Sequence, residues 1–313
     1  MSQYRRILLI LSSGAQATPA LHRAQTLAKL SGAELQIHLY AHYRAIDALS
    51  HVNKSVAGMA QAAVLSQCRD WLEETVFDLH ECGLAVQGQA YWEHADVESI
   101  LNRALDWSPD LLIKDAGRVT ALRALLPLSI DHELLRLCPY PLYLVHGEQA
   151  GLPTKVIAAV DPAHPWHRDG ALNDRVMRAA RDYALQADAS LELMSVFAAD
   201  SDHSAHNNDE YEQQRQAHKA GLATLVRKHG VSAEQTHVYY GDAASTLARE
   251  VRASGCGLLV IGSLCRTGLQ RFVAGSIAAR LVDELDCDLL AVKPSGFYAE
   301  FASLFGVASS SMS

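Results

Sequence analysis

The residues best placed to do chemistry lie in one loop near the C-terminal end. Gly262 follows the apolar run LLVI, Cys265 comes three residues later, and after nine more residues Gly275-Ser276-Ile277 opens the helical stretch AARLVDEL. A glycine just after a strand lets backbone approach a ligand closely. A Gly-Ser at a helix start presents unbonded N–H groups at the positive end of the helix dipole, which favours a phosphate. Asp161 ends another apolar run, VIAAVD. A carboxylate there would accept hydrogen bonds from a ribose or a base. The plainer reading is that Gly262 makes a turn and Ser276 caps its helix.

Histidines form a second constellation. Of the chain's 15, His164 and His167 share the segment DPAHPWH, and His203 and His206 share DSDHSAHNND with Asp200, Asp202 and Asp209. Four imidazoles would suit a tetrahedral zinc ion. The alternative is two solvated polar loops. His38 and His42, at a strand end, read as partly exposed structural residues. Trp92 and His94, at the start of a helix, read as packing. Several signatures are missing: no G-x-G-x-x-G after a strand, no G-x-x-x-x-G-K-[ST], no G-x-S-x-G and no H-E-x-x-H. These absences close the easy routes to a dehydrogenase, a P-loop ATPase, an α/β-hydrolase or a zinc protease. No base or nucleophile stands beside the glycine loop, so no catalytic residue is assigned and binding is favoured over turnover.

Loops like these need strands behind them. Continuous apolar runs predict strands at 5–11, 33–40, 85–92, 110–114 and 141–146, then at 155–161, 189–197, 235–240, 257–262 and 288–293. Amphipathic stretches predict helices at 19–30, 47–80, 173–186, 210–228 and 242–253. Alternating strand and helix with buried strands predicts an α/β fold: two tandem doubly wound, Rossmann-like domains, each a five-stranded parallel sheet with helices on both faces. Ligands of such sheets bind beyond the strands' carboxyl ends, where the glycine loop falls. The doubling comes from repetition. SPDLLIKDAGRV parallels SGCGLLVIGSLCR, and PLYLVHG parallels DLLAVKP. The offset is 149 at Ile7 and Val156, and 147 at Val145 and Val292. A period of that size marks a tandem of domains rather than a solenoid. The expected division is domain 1 at 1–147, a linker at 148–154, domain 2 at 155–297, and a poorly ordered tail at 298–313.

Composition sets outer limits. The 313 residues are 49% hydrophobic and 20% charged, enough for a sizeable core. A net charge of −8 argues against nucleic-acid binding through bulk positive charge. The run from Ile7 to Leu11 is too short to span a membrane, and with Arg5 and Arg6 before it is too short for a signal peptide. The six cysteines form no C-x-x-C pair and read as free, mostly buried thiols, so a cytoplasmic location is expected.

The run VIGSLCRTGLQRFVAGSIAARLVDELDCDLLAVKP resembles the C-terminal end of a universal stress protein domain, and the whole chain resembles that family's tandem type. The resemblance implies a nucleotide cofactor, ATP or AMP, in domain 2. Asp161 would contact adenosine, Val196 and Ile261 would line the adenine pocket, and phosphates would lie against Gly262, Gly275, Ser276 and Ile277. Cys265 stands where the family pattern G-x-x-G has its second glycine. If that position needs a left-handed backbone, a Cβ costs about 1 kcal/mol and weakens binding. Cys265 would alternatively serve as a redox-responsive thiol. Domain 1 has lost the pattern: Ser12 replaces Asp161, Asp115 replaces Gly262, Arg118 replaces Cys265 and Leu128 replaces Gly275, while Ser129 matches Ser276. Leu126 and Leu128 would admit an apolar, lipid-like ligand. The family also implies pairing through each domain's last strand, giving an intramolecular pseudo-dimer, with a homodimer as a further option. The expected role is a cytoplasmic stress-response protein that binds a small ligand without turnover. The alternatives are a nucleotide hydrolase or metal-dependent phosphotransferase, and a ligand-free scaffold for partner proteins.

Overall fold

The computed structural model describes residues 4–12, 14–117, 129–147, 151–163, 171–197, 208–232, 235–263, 265–266, 273–274, 276–299 and 301. By contact the chain divides into two units. Unit 1 is Met1–Gly117 with Tyr143–Leu152, and unit 2 is Arg118–Leu142 with Pro153–Ser313.

In unit 1 the strands are β1 (Arg6–Leu11), β2 (Glu34–Tyr40), β3 (Val86–Tyr91), β4 (Leu111–Asp115) and β5 (Leu142–Val145), in the order β3-β2-β1-β4-β5. In unit 2 they are β6 (Lys155–Ala159), β7 (Ser190–Phe197), β8 (Thr236–Tyr240), β9 (Leu258–Gly262) and β12 (Asp288–Val292), in the order β12-β9-β6-β7-β8. β1 pairs in parallel with β2 and β4, and β6 with β7 and β9. The duplication reaches the register: Ile7 lies opposite Leu111, and Val156 lies opposite Leu258. These are the two tandem α/β domains that the apolar runs predict. Each central strand is buried along nearly its whole length because helices cover it, which explains the unbroken apolar runs. A short antiparallel hairpin, β10 (Cys265–Arg266) with β11 (Val273–Ala274), was not foreseen.

The helices are α1 (Pro19–Ser31), α2 (Arg44–Val52), α3 (Lys54–Glu81), α4 (Val97–Trp107), α5 (Ile130–Leu137), α6 (Ala171–Ala187), α7 (Asn208–His229), α8 (Ala243–Ser254) and α9 (Ser276–Glu284). Helix α1 shows why the ends fall where they do. The Thr18 hydroxyl accepts from Leu21 N–H, Pro19 needs no N–H there, and Gly32 takes the left-handed backbone at φ 68°. The single long helix expected over 47–80 is two helices. Asn53 interrupts it with an extended backbone, and its side-chain oxygen accepts from Ser55 and Val56 N–H to start α3. Periodicity alone does not register such a cap inside an amphipathic stretch. Helix α4 begins after Asp96, which caps it by accepting from Ser99 N–H, so Trp92 and His94 lie in the loop before it.

Helix α5 comes from the first sequence copy but packs within unit 2. Its carbonyls at Leu135 and Arg136 accept from the buried Lys293 ammonium, and Leu135 also accepts from the Ser263 hydroxyl. His132 faces α9, with Nε2 3.1 Å from Asp283 and 3.2 Å from the Ala279 carbonyl. At the far end, Phe297 and Phe301 are both buried, so packed chain continues past β12 as far as Phe301.

Candidate functional site

In unit 2 the expected site residues fall at the carboxyl ends of β6, β7 and β9 and in the segment that follows β9. Asp161, just after β6, is half-buried. Its N–H donates to Asn173 Oδ1 at 3.1 Å and its carbonyl accepts from Asn173 Nδ2 at 2.8 Å. This two-way bond ties Asp161 to α6. Val196, near the end of β7, is half-buried, and Ile261 in β9 is buried. Gly262 ends β9. A Cβ on it would lie 2.8 Å from Cγ and Cδ2 of Leu172, so the close approach of α6 already requires glycine. Ser263 is fully buried: its N–H donates to the Val292 carbonyl at 2.8 Å, and its hydroxyl donates to the Leu135 carbonyl at 3.1 Å.

Cys265 lies in β10, paired with Ala274 of β11. Its backbone is therefore extended, a conformation in which a Cβ carries no steric penalty. The cost expected of a left-handed backbone does not arise at this position. The hairpin leads directly to α9, which starts at Ser276, and Ile277 in its first turn is 44% exposed. Gly275 and the zinc candidates His164, His167, His203 and His206 lie outside the described residues, as do Arg118, Leu126 and Leu128. Among the described residues no group of three or more His, Cys, Asp or Glu could hold a metal ion.

One pair in unit 2 had no signal in the sequence. Ser195 Oγ lies 2.7 Å from His218 Nδ1, and both residues are buried. Serine beside imidazole is a nucleophile's arrangement, but this pair sits under the rings of Phe197, Tyr211 and Tyr240, out of reach of substrate. It holds α7 against β7.

Unit 1 treats the same positions differently. Asp115 ends β4, and its Oδ1 accepts from Ala20 N–H at 2.9 Å, in the first turn of α1. The carboxylate thus sits at the positive end of α1, where a bound anion would otherwise go. At Asp115 the neighbouring helix offers a backbone N–H, whereas at Gly262 it places the Leu172 side chain. Substituting Asp115 with alanine removes a charge-assisted cap, and the unfolding free energy should fall by about 1–2 kcal/mol, read from urea titration. Ser12 is exposed. Ser129 precedes α5, and its hydroxyl lies 2.7 Å from His132 Nδ1.

The polar side chains of β2 and β3 form a cluster. Arg103 lies 4.0 Å over the Tyr91 ring and 5.7 Å over Tyr40, and its NH2 reaches both Glu93 oxygens at 2.9 Å. His38 is not partly exposed as expected but 2% exposed, edge-on to Tyr91 with ring centres 5.3 Å apart. Neither ring nitrogen has a hydrogen-bond partner. Burial, reinforced by the Arg103 charge, lowers the His38 pKa from 6.5 to about 4. His42 contacts the rings of Trp92 and His94 and pairs with Asp47 at 2.9 Å.

Comparisons with known proteins agree with this architecture. The model of the universal stress protein family matches residues 155–293. Universal stress protein E of Escherichia coli K12 is 25% identical over 309 residues, covering 95% of this chain and 96% of that protein. Its counterpart in Photorhabdus laumondii is 23% identical over 309 residues, covering 95% and 97%. A functionally unknown protein from Pseudomonas aeruginosa PAO1 shares the fold, with a TM-score of 0.76, 23% identity and 97% of each chain covered. A universal stress protein from Archaeoglobus fulgidus shares it at a TM-score of 0.56 and 11% identity, covering 94% and 97%. No helix among the described residues is long and apolar enough to cross a membrane. The second half of the chain matches the model of the universal stress protein family, and 95% of its length aligns with relatives of the E type.

Proposed function

We propose that the protein is a cytoplasmic stress-response protein whose unit 2 binds a nucleotide, ATP or AMP, or another small phosphorylated ligand, without turning it over. The observation that carries this reading is the start of α9. It follows an extended hairpin at the carboxyl end of β9, and its first turn bears the exposed Ile277. The first N–H groups of a helix have no partner within the helix, so that end suits an anion. Asp161, held by Asn173 after β6, stands at the carboxyl edge of the same sheet for a ribose or base. Cys68, Cys82, Cys138, Cys256 and Cys287 are free thiols, which suits a reducing compartment.

The test uses the full chain as purified. After denaturation, the released small molecules are separated and weighed, and calorimetry follows with ATP and AMP. Binding should occur at one site per chain and should weaken at least tenfold in Asp161→Ala. Phosphate release that Asp161→Asn abolishes would establish the hydrolase instead. No nucleotide binding, with a co-purifying protein, would establish the scaffold. Metal analysis of the same sample decides whether zinc accompanies the chain.

A further inference from the structure

Two cysteines lie together at the ends of β9 and β12 remote from the candidate site. The strands pair in parallel with Asp288 opposite Leu258, which places Cys287 opposite Gly257 and next to Cys256. The Asp288 N–H donates to the Gly257 carbonyl at 3.0 Å, tying the chain between the two cysteines. A strand spacing of about 4.8 Å with a one-residue offset of about 3.3 Å puts the two Cα atoms about 6 Å apart, inside the roughly 4.4–6.8 Å of a disulfide. Both residues are free thiols, 7% and 8% exposed. The Cys256 sulfur lies 3.1 Å from the Leu258 carbonyl and 3.7 Å from the Lys155 carbonyl.

We propose that Cys256 and Cys287 form a reversible redox pair that closes into a disulfide on exposure to a hydroperoxide. The surroundings of the two thiols make them unequal. The contact with Cys287 lowers the Cys256 pKa, helped by the nearby Lys155 charge, while Cys287 is raised and stays protonated. Cys256 is therefore the attacking thiolate and Cys287 the resolving thiol. In the first step the Cys256 sulfur attacks hydrogen peroxide. The O–O bond breaks, a sulfenic acid forms, and hydroxide leaves to become water. In the second step the Cys287 sulfur attacks the Cys256 sulfur. The S–O bond breaks, the S–S bond forms, and the departing hydroxyl takes the Cys287 proton as a second water. Two electrons pass from the sulfurs to the peroxide, and a dithiol reverses the change. The loop so closed contains β9, the β10–β11 hairpin and α9, the segment that carries the candidate phosphate site. This inference rests on the two thiols and not on ligand binding.

The experiment treats the folded, full-length protein with a few equivalents of hydrogen peroxide, blocks remaining thiols, and maps peptides by mass spectrometry. Trypsin leaves Cys256 and Cys265 in one peptide, so fragment ions assign the sulfur. The expected result is a Cys256–Cys287 link, two thiols lost per chain, and full recovery with dithiothreitol. Cys256→Ala should abolish the link. Cys287→Ala should leave Cys256 free to carry a sulfenic acid, trapped by a dimedone-type reagent. Linkage through Cys265, sulfinic acid at Cys256 in the wild type, or no loss of either thiol while the exposed Cys82 oxidises would each overturn the proposal.

Discussion

Replacing Lys293 with methionine should lower the unfolding free energy of unit 2 by about 2–4 kcal/mol. Lys293 is 3% exposed, and its ammonium donates to the Leu135 and Arg136 carbonyls and to the Ser263 hydroxyl, 4.7 Å over the Phe297 ring. The two carbonyls belong to the last turn of α5, where a helix leaves its acceptors unpaired and a cation meets the negative end of the dipole. Methionine fills the stem's volume but leaves both carbonyls buried without this donor. Hydrogen bonds to charged groups contribute about 1.5–3 kcal/mol each, and buried unsatisfied acceptors cost a similar amount. Lys293→Arg should lose less, because it keeps the charge. Urea unfolding followed by circular dichroism reads the change, and a loss under about 1 kcal/mol for methionine would show that α5 is held mainly by apolar packing.

Acid should destabilise unit 1 through His38. Its pKa is about 4 in the folded chain against 6.5 for an unperturbed histidine. Between those values the unfolded chain binds a proton that the folded chain refuses. Stability is therefore full above about pH 6.5, falls as the pH drops toward 4, and levels off below that. One pKa unit corresponds to about 1.4 kcal/mol, so the whole window is worth about 3–4 kcal/mol at most. Burial is the main cause and repulsion from Arg103 the second. His38→Met keeps the volume and removes the titration. Urea midpoints at pH 7 and pH 4.5 should differ more in the wild type than in the variant, since the carboxylates titrate alike in both. Equal pH dependence in the two proteins would refute the assignment.

The strand runs were legible because their message is local. A strand covered on both faces has to be apolar at every position, and ILLIL and LLVIG say so in five letters. The duplication was legible as well, and the matching registers at Ile7–Leu111 and Val156–Leu258 are its structural counterpart. The break at Asn53 was harder to see, because a polar residue on an exposed helix face looks the same whether or not it caps the next helix. His38 was misjudged for a similar reason. Histidine is usually half exposed, and the Tyr91 ring that meets His38 edge-on is distant from it in sequence.

The glycine loop shows how the two kinds of information divide. From the sequence alone came the α/β fold, the two copies, and the loss in the first copy of the glycines the second retains. Asp115 in the place of Gly262 already said that the halves would treat an anion differently. The tertiary structure decided why. A Cβ at Gly262 would run into Leu172 of α6, whereas the Asp115 carboxylate accepts the Ala20 N–H of α1. It also decided that Cys265 sits in an extended hairpin, that α5 packs with the second copy, and that Cys287 stands opposite Gly257, one residue from Cys256. The physical reason is that local periodicity records which face of an element is buried. It carries no record of which distant side chain does the burying, and cavities, caps and thiol pairs depend on that distant partner.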